Sequence, residues 1–87
     1  MTWDFRVLAQ EYKGELTFGI FEVYYNDDGI PNMCTENAVG AVGDTLPGLS
    51  HTLRLMLAAL MEPILNYADF GPGGKYYKKT GWGVDYA

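Results

Sequence analysis

The sequence predicts an α+β fold: a three-stranded antiparallel sheet with one long helix packed on one face, followed by a short Gly-, Tyr- and Lys-rich C-terminal tail. Three observations predict it. Residues 3–10 and 16–26 alternate with period two and are rich in aromatic and β-branched side chains, as strands are. Asn26-Asp27-Asp28-Gly29 combines the residue types that tolerate the left-handed conformations of a tight turn. Leu49, Leu53, Met56, Leu57 and Leu60 then recur at three- and four-residue spacing, the period of a helix.

The first strand places Trp3, Phe5, Val7 and Ala9 on one face and Asp4, Arg6, Leu8 and Gln10 on the other. Residues 11–15 make a turn, with Gly14 free to take positive φ. The second strand, 16–26, is apolar on both faces, so both faces require a cover. A third strand lies within 32–39, where Pro31 and Asn37 interrupt the pattern. Asp44 or Thr45 caps a helix running from about Leu46 to Met61, Pro47 fits its first turn, and Pro63 ends it. Its leucine stripe is expected to be buried. Ile64 and Leu65 follow as a short piece after the bend, and Gly71-Pro72-Gly73-Gly74 is a turn or hinge. The expected organisation is one domain over residues 1–70 and a tail or edge strand over 71–87.

Composition narrows the function classes. The 87 residues are 48% apolar and include four Phe, two Trp and seven Tyr, too much core material for a disordered chain. The net charge of −5 argues against generic binding to duplex phosphate. That charge is unevenly placed. Residues 1–69 carry Arg6, Lys13 and Arg54 against ten acids, a net −7, whereas 70–87 carry Lys75, Lys78 and Lys79 against Asp85, a net +2. Cys34 stands alone, which leaves no disulfide framework and no cysteine-based zinc site. The longest apolar run, Leu55 to Met61, is far short of the ~20 residues that span a bilayer. The N-terminus lacks the pattern of a signal peptide, so the expected compartment is the cytoplasm.

With one helix on one face of the sheet, the other face, carrying Phe21, Val23 and Tyr25, must meet the tail, a second copy or another protein. A homodimer is the leading expectation. The tail adds Tyr76, Tyr77, Lys78, Lys79 and Trp82. Aromatics interleaved with lysines can pack on the sheet, anchor in a protein groove, or stack on a nucleotide.

Two segments carry a resemblance: Phe18-Gly19-Ile20-Phe21-Glu22-Val23-Tyr24-Tyr25-Asn26-Asp27-Asp28-Gly29-Ile30-Pro31, and Thr35-Glu36-Asn37 with Val42-Gly43-Asp44-Thr45-Leu46 leading into the leucine-rich helix and Pro63. Over about residues 2–66 the chain resembles small, uncharacterised bacterial and phage proteins, which are similar to the N-terminal βββα unit of HicB-type antitoxins, a partial ribonuclease H-like fold. The resemblance implies a unit that binds a small RNA-cleaving toxin and oligomerises. HicB proteins carry a separate DNA-binding module. Only twenty-one residues follow Asn66 here, so operator binding is not expected. The implied setting is bacterial cytoplasm, or host cytoplasm for a phage protein. Two alternatives stand beside the antitoxin reading: an anti-CRISPR-like inhibitor whose acidic surface competes for a nucleic-acid-binding site, and a small-nucleotide binder.

Catalysis is not expected. His51 and Ser50 are the only residues of their kinds, but helical neighbours point about 100° apart. Asp4, Glu22, Asp28, Glu36 and Asp44 do not reach the density of carboxylates that two divalent metals need. Glu22, mid-strand among apolar neighbours, is expected to pair with Arg6 or to face solvent. Gly71 to Lys75 lacks the spacing of a phosphate loop. No cofactor or metal is expected.

Overall fold

The computed structural model describes residues 2–77. Strand β1 (Thr2–Tyr12) and strand β2 (Glu15–Tyr25) form a long antiparallel hairpin, with cross-strand partners running from Thr2↔Tyr25 to Tyr12↔Glu15. Lys13 and Gly14 make the two-residue turn, at φ 52° and 82°. Positive φ at both centres is the geometry whose twist matches that of the flanking strands.

Asn26 begins the next turn. Its Oδ1 accepts from the backbone N–H of Asp28 at 2.9 Å and of Ile30 at 3.0 Å, and Gly29 takes φ 77°. This Asx turn delivers strand β3 (Pro31–Cys34), antiparallel to β2 with an irregularity between Tyr24 and Tyr25. β3 is shorter than the alternation suggested. Beyond it the chain still follows β2, because Thr35 N–H donates to the Glu22 carbonyl and Val39 N–H to that of Ile20.

Helix α1 (Leu46–Ala59) begins where capping physics places it: Thr45 Oγ1 accepts the Gly48 N–H at 3.0 Å. It ends four residues before Pro63. Strand β4 (Leu65–Asn66) then pairs in parallel with β1, Leu8↔Leu65 and Ala9↔Asn66. The sheet is therefore mixed and four-stranded, in the order β3-β2-β1-β4, rather than purely antiparallel. A two-residue strand is too short to show any alternation, so its pairing is fixed by where the chain returns after α1.

The cross-strand register sorts the side chains. One face carries Leu8, Phe21, Val23 and Cys34, and this is the core, with Leu8 and Val23 at 0% exposure and Phe21 at 1%. Its cover is a 3₁₀ turn (Tyr67–Phe70) and the residues after it. Phe70 is buried there, and Tyr76 packs on Phe70 at 5.1 Å between ring centroids. Gly73 takes φ 83°, and the Tyr76 N–H returns to the Asp69 carbonyl at 2.6 Å.

The other face carries Trp3, Phe5 and Val7, and α1 lies against it. Of the helix only Ala59 is buried. The stripe expected to form the core is largely outside it: Leu53, Leu57 and Leu60 are 51%, 65% and 61% exposed. The apolar arc of α1 is wider than one line of contact with β1 can cover, and the small Ala59 gives the close approach.

Phe70→Ala should cost about 3–5 kcal/mol, the usual penalty for emptying a core aromatic site, read by urea unfolding. A loss under about 1 kcal/mol would mean that the 3₁₀ turn does not close the core.

Candidate interaction surface

The exposed stripe of α1 is built from Leu46, Leu53 and Leu60, spaced by seven, with Leu57 beside them. Seven-residue spacing keeps side chains on one seam of a helix. Between Thr45 and Met61 the only residues with ionisable side chains are His51 and Arg54, so the seam carries no acid in a chain of net charge −5. The sequence signal was there: apolar positions occupy more than half of the helical wheel, more than one sheet contact absorbs. The same sheet face leaves Leu16 and Phe18 exposed.

On the opposite flank of α1 a groove of about 350 Å³ opens between the helix and β1. Trp3 and Phe5 meet there edge to face, 5.2 Å between centroids at 89°. Leu55, Ala58 and Ala59 face them from α1, with Asp4 and Glu62 at the margins. This groove was not foreseen, because nothing in the sequence alone brings residue 3 to residue 62.

The residues expected to offer an interface divide into three groups. Phe21 and Val23 are buried in the core, and Tyr25 is half-buried beside them. The surface they were expected to present is occupied by the chain's own 3₁₀ turn and Tyr76, so Phe21 and Val23 are corrected from interface to core, with Tyr25 packed at its border. Tyr76 and Tyr77 are half-buried, and Lys75 Nζ stands 5.4 Å from the Tyr76 ring. Lys78, Lys79 and Trp82 lie outside the described residues.

The expected Glu22–Arg6 pair is also corrected. Arg6 is opposite Phe21 and Glu22 is opposite Phe5, which puts their side chains on different faces. Glu22 instead accepts the Tyr24 hydroxyl at 2.5 Å. That bond is the main reason the Tyr24 phenol is pushed up to about 12. Arg6 donates from Nη2 to the Pro63 carbonyl at 2.7 Å and from Nη1 to the Tyr25 hydroxyl at 3.1 Å, while Tyr25 donates to Asp4 Oδ1 at 2.7 Å. The guanidinium thus ties the segment after α1 to the edge of β1. Burial comes first among the causes that raise the Tyr25 phenol, followed by its bond to Asp4.

His51 is exposed on α1 and Ser50 half-buried. Among the described residues no three of His, Cys, Asp and Glu converge as a metal site, and no helix is long and apolar enough to cross a membrane. Cys34 is 4% exposed, and burial pushes its thiol up to about 12.

The Cys34 shift has a pH signature. Unfolded, the thiol loses its proton near its ordinary 9.0, whereas folded it keeps it to about 12. Between those values the unfolded chain binds fewer protons than the folded one, so this group's contribution is intact below pH 9 and lost as pH rises. Unfolding free energies at pH 7, 9 and 10.5 should therefore fall over the upper interval, and Cys34→Ala should flatten that fall. No protein-family model, curated protein or solved structure matches this chain.

Proposed function

We propose that this chain is a non-enzymatic protein-binding module that pairs with a second copy and masks a protein partner, in the manner of HicB-type antitoxins. The observation that supports the reading is the uncovered leucine seam of α1. Isolated apolar residues on a surface are ordinary, but aligned large ones mark a contact. Leu46, Leu53, Leu57 and Leu60, 51–81% exposed, with Met61 at 83%, align as an apolar patch of the kind that marks an interaction site. The seam suits a second copy on grounds of charge, since the acids that would repel it lie elsewhere.

A second reading draws on the acidic body. Exposed Asp27 and Asp28 at one hairpin end, and Glu11 and Glu15 at the other, offer carboxylates that can stand in for phosphates against a basic protein surface. Under that reading the partner is a nucleic-acid-binding complex of host defence, and added nucleic acid displaces the chain from it. A toxin complex would resist such displacement.

Native mass spectrometry at micromolar concentration should show a dimer. The double substitution Leu53→Lys and Leu57→Lys should give a monomer with unchanged far-UV helical signal, because both side chains are exposed. A wild-type monomer up to about 100 μM, in the affinity range where specific dimers form, would sink the pairing. Masking is tested separately, by whether the chain stops RNA cleavage by a small ribonuclease that co-purifies with it in fixed stoichiometry.

A further inference from the structure

We propose that the groove between β1 and α1 receives a cationic side chain, an arginine, presented by a basic segment of the protein partner. The assignment names the partner's chemistry and rests on the binding-module reading. At about 350 Å³ the groove lies at the small end of ligand pockets, enough for one long side chain. Its apolar lining is Trp3 and Phe5 from β1 and Leu55, Ala58 and Ala59 from α1. Glu62 completes the lining from the helix side, while Asp4 contributes from β1 with its carboxylate turned to the other face, where it accepts the Tyr25 hydroxyl.

That combination matches arginine part by part. The methylene stem lies along apolar surface, as long cationic side chains commonly do. The planar guanidinium stacks on an aromatic ring, tryptophan being the best partner. Trp3 is 49% exposed despite its contact with Phe5, so ring surface is open to a ligand. The Glu62 carboxylate complements the charge, and a charge-assisted hydrogen bond to it fixes its orientation. A neutral apolar ligand would leave Glu62 unmatched, and an anion would meet it as a like charge. The net charge of −5 draws a basic partner toward the surface.

Among the described cations, Arg6 is held by the Pro63 carbonyl and the Tyr25 hydroxyl, Lys13 lies 5.3 Å from the Tyr12 ring centre, Lys75 sits by Tyr76, and Arg54 is exposed on α1. The groove also lies on the flank of α1 opposite the leucine seam, so pairing of copies through the seam leaves it accessible.

The test is a titration of the full-length, ¹⁵N-labelled protein with N-acetyl-Ala-Arg-Ala-amide and with its citrulline analogue, which keeps the shape and removes the charge. The arginine peptide should shift the Trp3 indole N–H and the amides of Ala58, Ala59 and Glu62, and citrulline should leave them in place. Glu62→Gln should weaken binding about threefold, the scale of an exposed ion pair, and Trp3→Leu about fivefold. Equal shifts with citrulline, shifts at Trp82 in place of Trp3, or none at millimolar peptide would overturn the assignment. A dimer that persists beside an unmoved Trp3 would remove the groove alone and leave the binding module standing.

Discussion

Both faces of the β1–β2 hairpin are apolar, and this constraint requires the chain to bring covers to opposite sides of one sheet. Leu8, at the centre of β1, has Gly19 beside it on one strand and Leu65 on the other, and is wholly buried. The cover over Leu8, Phe21 and Val23 is aromatic and close, and comes from Phe70 and Tyr76. The cover over Trp3, Phe5 and Val7 is a helix that touches the strand through Ala59. A small protein buries a modest share of its surface. Here the deficit is concentrated on the helix side instead of being spread over the molecule.

Legibility in the sequence followed the length of each signal. Eleven-residue strands show their alternation, the Asn-Asp-Asp-Gly turn announces itself, and Thr45 with Pro47 fixes the helix start within a residue. A two-residue strand shows nothing, so β4 was invisible. The face on which the core lies depends on the hairpin register. The two-residue Lys13-Gly14 turn pairs even positions with odd ones, which separates Arg6 from Glu22 and sets Arg6 opposite Phe21. Read as a loose five-residue turn, the same hairpin leaves that pairing open. The leucine stripe of α1 was legible as apolar, but its exposure was not, since periodicity reports which side chains share a side and not what lies against it.

The helix consequently has two unlike flanks. One is a seam of leucines with no acid among them, and the other borders the Trp3–Phe5 groove with Glu62 at its lip. Arg6 fixes the relation between them by tethering the Pro63 carbonyl to β1, so the end of α1 cannot swing away from the strand without breaking that bond. One half-buried basic residue thereby fixes the position of the chain that leaves the helix.

The closure of the core by Phe70 and Tyr76 also sets an order of events. The hairpin is local and such units form in microseconds, but its buried face stays wet until a segment fifty or so residues further along the chain arrives, and such long-range closure slows folding. A growing chain therefore exposes Phe21 and Val23, both destined for the core, for as long as synthesis takes to reach Tyr76. Unpaired apolar strands of that kind are where misassembly begins. Glu11 and Glu15 at one hairpin end, with Asp27 and Asp28 at the other, put like charge at both ends of that strand pair, the placement that opposes edge-to-edge association of such segments.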